Sequence, residues 1–210
     1  MVATTGQTQD TSAKIMQAAK ELFAENGYDG VTIKRIAQLA GTNSALISYY
    51  FGGKAQLYQV VLKQQTEIFL SMMVRWKDTS LSPLQHIKRF MDAQARLHLA
   101  DPHSIYMIYR EFLTPTKTAA DVVQERIIAI YEGLSEELEA AKAGHYINAS
   151  VDCRRAAFTL LSIFALFILT CRYESLSDSS MLTGKDPFSR LQGVYLDYLQ
   201  TLSTGKETLQ

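Results

Sequence analysis

The stretch between Gly30 and Thr66 carries side chains that are suited to binding a polyanion. It contains no aspartate or glutamate, but it does contain basic residues: Lys34, Arg35, Lys54 and Lys63. The whole chain of 210 residues has a formal net charge of zero, so this positive charge is local. Because phosphate groups are attracted to a basic surface that lacks acids, we expect this stretch to bind nucleic acid.

Two short helices are predicted to position these side chains. Thr32 is suited to cap a first helix, IKRIAQLA, whose apolar residues recur at helical spacing. Gly41 is able to leave that helix in a left-handed conformation, and Thr42 and Asn43 are both suited to cap a second helix, SALISYY. A small residue lies four positions before the glycine and an apolar residue six positions after it. This spacing is typical of a helix-turn-helix that reads DNA.

The residues predicted to contact DNA fall into two groups, according to the part of the duplex that they would reach. Four are predicted to hold backbone phosphates: Thr32, Lys34, Tyr49 and Lys54. Six are predicted to face the major groove, where small or hydrogen-bonding side chains approach base edges closely: Thr42, Asn43, Ser44, Ala45, Ser48 and Tyr50. The alternative is a solvated pair of helices that happens to lack acids.

The segment from Thr11 to about Leu62 resembles the N-terminal domain of the TetR family of bacterial transcriptional regulators. The matching residues are AAKELFAENGYDGVTIKRIAQLAGTNSALISYYFGGKAQLY. One departure is Ser48, where the family often has tyrosine, so a DNA contact is expected to be lost or to move to Tyr49. The resemblance implies a C-terminal domain of several helices that dimerises and binds a small effector.

The rest of the chain is predicted to be helical, because strand signals are nearly absent. We therefore expect an all-α fold, in which a long helix joins an N-terminal three-helix helix-turn-helix domain to a C-terminal helical ligand-binding and dimerisation domain. The predicted boundaries are a disordered N-terminal tail at 1–10, the DNA-binding domain at 11–56, the effector-binding and dimerisation domain at 57–204, and a C-terminal tail at 205–210.

A very apolar helix is predicted over residues 149–173. Its apolar run of 16 residues, 156–171, is shorter than the roughly 20 that a membrane span requires. Pairing this helix and the last helix with their copies in a homodimer would bury the surplus apolar surface. The residues predicted for this interface are Phe158, Leu161, Ala165, Ile168, Leu191, Tyr195 and Tyr198. The alternative is a monomer with an ordinary buried helix.

Methionine and aromatic side chains in the C-terminal part are suited to an adaptable apolar binding site. The residues predicted to line a pocket for an unknown small-molecule effector are Phe69, Met73, Trp76, Phe90, Met107, Tyr109, Arg110, Tyr131 and Phe158. Residues of these types at helical spacing are also typical of an ordinary hydrophobic core, and this interpretation stays open.

Catalytic, cofactor and metal motifs are not apparent in the sequence. Cys153 and Cys171 lie about 27 Å apart along one predicted helix, so they cannot bond to each other and are expected to be reduced thiols. We therefore predict a cytoplasmic, homodimeric regulator of transcription that is not an enzyme, needs no cofactor and binds double-stranded operator DNA. In this hypothesis a small effector releases the repressor from its operator. The alternatives are a helical small-molecule-binding protein that no longer reads DNA, and an enzyme housed in a helical bundle.

Overall fold

A computed structural model describes residues 4–74, 80–171 and 186–206, and α-helices account for most of them. The helices are α1 Thr4–Asn26, α2 Ile33–Leu39, α3 Ser44–Phe51, α4 Lys54–Val74, α5 Pro83–Ala100, α6 Pro102–Leu113, α7 Ala120–Ala143, α8 Cys153–Cys171 and α9 Pro187–Leu202. One isolated bridge joins Ile147 to Ser203. The predicted all-α class is confirmed.

The helix boundaries differ from the prediction at several ends. The sequence predicts that the first helix starts near Thr11, after a loose tail, but α1 begins at Thr4. An ion pair of 2.6 Å between Asp10 Oδ2 and Lys14 Nζ spans the predicted start, and such pairs stabilise a helix. The helix α8 begins at residue 153 and not at 149, because the Asp152 carboxylate accepts the backbone N–H of Arg155 as a cap. The sequence also predicts that the long helix opened by Lys54 runs to about Lys77. This end, and the end of α8 predicted at residue 173, lie outside the described residues.

The chain folds into two compact units. The first consists of residues 1–68 and 102–126, and the second consists of residues 69–101 and 127–210. The helix α6 packs against α1 within the first unit. The predicted DNA-binding domain ends at residue 56, so it leaves out α6 and part of α4, which belong to the first unit. Sequence periodicity alone does not reveal that these helices belong with the DNA-binding helices.

An aromatic cluster forms the centre of the first unit. The ring centroid of Tyr58 on α4 lies 4.8 Å from that of Phe23 on α1, and 4.9 Å from that of Tyr28 in the turn after α1. Phe23 and Tyr58 are almost completely buried. Because edge-to-face and tilted aromatic pairs are favourable at this distance, the cluster fixes α4 against the end of α1.

The buried carboxylate of Glu111 on α6 ties α4 to the chain that leads into α7. The Tyr58 hydroxyl donates to Glu111 Oε2 at 2.7 Å, while the backbone N–H and the hydroxyl of Thr116 each donate to Oε1 at 2.8 Å. Glu111 is 1% exposed, so these donors replace the water that the carboxylate loses. Burial, together with the hydrogen bond and the charge of Glu111, raises the pKa of Tyr58 well above its ordinary value.

The second unit has a comparable polar centre at Asp92 on α5. Lys88 Nζ donates to Asp92 at 2.9 Å and Gln192 Nε2 on α9 donates at 2.8 Å, and the Tyr195 hydroxyl on α9 also donates to this carboxylate. Burial alone would raise the pKa of Asp92, but these three hydrogen bonds outweigh it and hold the pKa below its usual value. The ring of Phe164 on α8 stacks on Tyr195 with centroids 6.2 Å apart, so α5, α8 and α9 meet here.

The end of α9 is held by the loop between α7 and α8. The Asn148 amide donates to the Leu202 carbonyl at 3.1 Å, and Lys206 Nζ donates to the Gly144 carbonyl at 2.7 Å. The first residues of the predicted C-terminal tail are therefore fixed, and residues 207–210 lie outside the described ranges. None of the helices in the described ranges combines the length and apolarity that crossing a bilayer requires.

We expect Tyr58→Phe to lower the free energy of unfolding by about 1.5–3 kcal/mol, because a hydrogen bond to a buried charged group is lost. Urea denaturation of the variant and the natural protein measures this difference. Tyr49→Phe is the matched control, since it removes the same hydroxyl from a side chain that is 78% exposed. Equal effects of the two changes would show that the Tyr58–Glu111 bond adds nothing to stability.

We also expect stability to fall as the pH drops below neutrality, because His98 is buried. Burial lowers its pKa to about 4, although a hydrogen bond from Nδ1 to the Gln94 carbonyl at 2.7 Å offsets part of this effect. Between pH 6.5 and 4 the unfolded chain thus binds more protons, and stability rises with pH across that window. The free energy of unfolding should be about 2 kcal/mol lower at pH 5 than at pH 7 as a result of this group.

Denaturation at both pH values checks this expectation. His98→Gln should reduce the difference between pH 5 and pH 7, whereas His103→Gln, at a half-buried position, is the matched control. An unchanged difference in His98→Gln would assign the pH dependence to other groups.

Candidate nucleic-acid interface

Both helices of the helix-turn-helix are capped as predicted, and of the two candidates for the second cap the structure uses Asn43 and not Thr42. Thr32 Oγ1 accepts the backbone N–H of Arg35 at 3.2 Å and begins α2, while Asn43 Oδ1 accepts the N–H of Ala45 at 2.9 Å and begins α3. Between them Gly41 has a φ of +62°, in the left-handed region that glycine adopts without a steric penalty. The turn between the helices is therefore built as the sequence predicts.

Packing fixes which face of α3 remains free. α2 packs against both α1 and α3. Ile36 and Ala37 on α2 and Ile47 on α3 are buried between them. The face of α3 away from Ile47 presents Ala45, Ser48 and Tyr49 to solvent. A helix of this kind, braced from behind and polar in front, has the form of a recognition helix.

All ten residues predicted to contact DNA lie in or beside α2, α3 and the start of α4. Six are exposed: Thr32, Lys34, Asn43, Ala45, Ser48 and Tyr49. Four are half-buried: Thr42, Ser44, Tyr50 and Lys54. The structure thus brings the predicted residues to one region, while the contacts of each with DNA stay a prediction.

Lys54 is the first residue of α4, where a cation is unfavourable to the helix dipole. Its Nζ lies 4.2 Å from the centroid of the Tyr28 ring, so a cation–π contact offsets part of this cost. A DNA phosphate held by both Lys54 and the helix N-terminus would favour the same arrangement. Tyr28, which supports the lysine, is not among the predicted site residues.

Arg35 is a basic side chain of the acid-free stretch that is not among the predicted DNA contacts. It is exposed on α2, and its Nη1 donates to Asn26 Oδ1 at the end of α1 at 3.3 Å. Asn26 in turn donates from Nδ2 to the Leu22 carbonyl at 3.1 Å. Its place beside Lys34 in the sequence is the signal that identifies it as a candidate for phosphate binding.

The residues predicted for an effector pocket are spread over both units. Phe90 and Met107 are buried, Tyr109 and Tyr131 are half-buried, and Phe158 is 67% exposed. Burial raises the pKa of Tyr109 above its ordinary value. The side chains of Phe69 and Met73, and the whole of Trp76, lie outside the described residues. An open groove on α1 and α2 contains none of the predicted residues; it is lined by Glu21, Leu22, Glu25, Arg35, Gln38 and Leu39.

Arg110, the predicted polar member of that pocket, binds the end of α1. Its Nη2 donates to the Glu25 carbonyl at 3.3 Å. A Cβ atom at Gly27, where φ is +71°, would lie only 2.8 Å from Arg110 Nη1. The glycine therefore makes room for the guanidinium, which holds α6 against α1 and thus differs from the predicted role.

The predicted dimer residues divide by burial. Leu191 and Tyr195 have no exposed surface, because they pack inside the second unit. They are therefore not available to a partner, although the sequence predicts them in the dimer interface. Leu161, Ala165 and Tyr198 are half-buried, and the side chain of Ile168 lies outside the described part. Among the side chains of α8 that the structure describes, two large apolar ones are open to solvent: Phe158, which is 67% exposed, and Leu166, which is 65% exposed. The prediction includes Phe158 but omits Leu166.

The fold and this surface define a helix-turn-helix protein. Residues 15–61 match the family model described as bacterial regulatory proteins, tetR family. The HTH-type transcriptional regulator RutR of Escherichia coli K12 is 29% identical over 147 residues, which are 68% of this chain and 67% of RutR. This chain is therefore similar to TetR-family regulators, above all in its DNA-binding segment, as the resemblance predicts.

Solved structures share the fold over nearly the whole chain. A TetR-family transcriptional regulator from Agrobacterium tumefaciens has a TM-score of 0.76 at 16% identity, covering 94% of this chain and 100% of that one. The fatty acid degradation regulator FadR from Bacillus halodurans has a TM-score of 0.71 at 18% identity, covering 94% and 97%. At these identities the likeness concerns the fold alone.

Lys54→Ala should weaken binding to all DNA sequences alike and reduce the slope of log affinity against log salt by about one unit, because one phosphate contact is lost. Titration of fluorescent duplexes at several salt concentrations measures the slope. Lys117→Ala, which removes the same charge from an exposed position outside the acid-free stretch, is the matched control. A change in sequence preference without a change in slope would contradict the phosphate role.

Proposed function

We propose that this protein is a homodimeric transcriptional repressor that acts in the cytoplasm and binds a palindromic operator through α3. The acid-free surface of α2 and α3 carries this proposal, with both helices capped and braced and with Ala45, Ser48 and Tyr49 exposed. The regulator RutR, which is similar over two thirds of its length, supports a role in transcription. A protein that had lost DNA binding would have no need to keep these features together.

Dimerisation through α8 is supported by its exposed apolar side chains. Phe158 and Leu166 lie eight residues apart on this helix, which places them on similar sides of it. A second copy would remove these side chains from water. Two recognition helices related by a two-fold axis would then read half-sites about 34 Å apart, or a whole multiple of that distance.

Release by a small effector is the regulatory part of the proposal. The helix α6 packs against α1, and its Glu111 binds Tyr58 on α4, four residues beyond Lys54. A ligand that favours another position of α6 would therefore act on the start of α4. Such a ligand acts as an inducer only when it binds the DNA-incompetent state more tightly than the other state.

Selection of bound duplexes from a random DNA pool at about physiological salt, followed by sequencing, tests the function. We expect an enriched palindrome, bound as a complex with the mass of two chains and one duplex. Ala45→Glu and Ser48→Glu together place acids on the exposed face of α3 without touching buried Ile47, so this variant should enrich nothing while keeping its helical content.

Two other outcomes would count against the proposal. Salt-sensitive binding without an enriched sequence would favour a small-molecule-binding protein that no longer reads DNA. An enriched site without inverted symmetry, bound by one chain, would contradict the dimer. Once the operator is known, release of the labelled duplex provides a screen for the effector.

A further inference from the structure

The recognition helix lacks the side chains that most often read guanine. An arginine or lysine bonded to guanine O6 and N7 is the commonest specific base contact in DNA complexes. Residues 36–53, which include all of α3, contain neither arginine nor lysine. The commonest guanine contact therefore cannot come from α3.

The amide that is best placed to read adenine is already engaged. Bidentate adenine readout uses both the oxygen and the nitrogen of an asparagine or glutamine side chain. Asn43 Oδ1 accepts the Ala45 backbone N–H at 2.9 Å, so the cap holds this amide against the first turn of α3. The side chains that remain for reading bases on the exposed face are small or hydroxylic.

Ala45 is the apolar group among them, and its position is fixed. It is the second residue of α3, it is exposed, and its backbone N–H is held by the cap. In helix-turn-helix proteins the N-terminal residues of the recognition helix contact base edges. An alanine methyl group at such a position matches the C5 methyl group of thymine, which the major groove displays on no other standard base.

We propose that Ala45 reads the C5 methyl group of one thymine in each operator half-site. This inference rests on the proposed function, because it concerns the same DNA surface. Ser48, exposed one turn further along α3, supplies a hydroxyl beside the methyl contact. The half-site is thus distinguished by a buried methyl group at this position and not by the O6 and N7 atoms of guanine.

The test replaces each thymine of the selected operator with deoxyuridine, which lacks only the C5 methyl group. At one thymine in each half-site we expect the affinity of the natural protein to fall about fourfold per half-site, and roughly fifteenfold when both are changed, because one buried methyl group is lost at each. At the same position a 5-methylcytosine·guanine pair should bind better than a cytosine·guanine pair. Fluorescence anisotropy of labelled duplexes measures both comparisons.

Ala45→Gly assigns the contact to this residue. Its ratio of affinities for the thymine and uracil operators should fall to about one, while Ser48→Ala should keep the ratio of the natural protein. Any loss of α3 stability in the glycine variant lowers both affinities alike and cancels from the ratio. If that variant binds neither duplex, Ala45→Ser serves for the same comparison and should also reduce the ratio.

The outcomes separate this inference from the function on which it rests. A palindromic operator at which every uracil substitution is neutral would overturn the methyl contact and leave the proposed function standing. If Ala45→Gly leaves the ratio of thymine to uracil affinities unchanged, another side chain contacts the thymine methyl group, and this result would also overturn the inference. Failure to select any sequence would overturn both.

Discussion

A buried carboxylate needs hydrogen-bond donors, and in the first unit this requirement links α4 to α6. Glu111 is almost inaccessible to water, and it accepts hydrogen bonds from Tyr58 on α4 and from Thr116 beyond the end of α6. Removing one of these donors leaves a buried carboxylate oxygen short of a hydrogen bond, which costs more than the net contribution of that bond. The same tyrosine belongs to the aromatic cluster that fixes α4 to the end of α1, so one polar contact and one apolar cluster secure the start of α4.

The recognition surface depends on this arrangement in a simple way. α3 has only eight residues, too few to be stable alone in water, and its order comes from the buried side chain of Ile47 and from its two ends. Lys54 then follows at the start of α4, with its ammonium group over the ring of Tyr28. The aromatic ring that contacts Tyr58 in the core thus also positions a cation at the surface.

The parts of the fold that the sequence predicts well are those that local chemistry decides. Thr32 and Asn43 cap helices through backbone groups no more than three residues away, and Gly41 adopts its left-handed conformation in the turn between them. Such features depend only on residues close in sequence. Burial over long sequence distances is not visible in this way. The periodicity that marks Tyr195 as apolar cannot say whether it faces a partner or Asp92, which is 103 residues away.

The predicted effector residues show the same limit. Arg110 appears in the sequence as a polar group among aromatic residues, which is the usual composition of a binding site. Its actual partner is a carbonyl group 85 residues earlier, and the space for it comes from Gly27. Periodicity identifies the helices that carry such residues, but the pairing of helices decides what each side chain does.

The first unit is assembled from two stretches of chain that are separated by more than thirty residues. A ribosome therefore releases α1 to α3 well before α6 exists to cover α1 and to accept the Tyr58 hydroxyl. The arrangement also matters for chimaeras between relatives, since a junction placed after α4 would combine the helix-turn-helix of one protein with the α6 of another. A chimaera that takes its DNA specificity from a relative should thus fold most readily when it takes both the helix-turn-helix and the segment carrying Arg110, Glu111 and Thr116 from that relative.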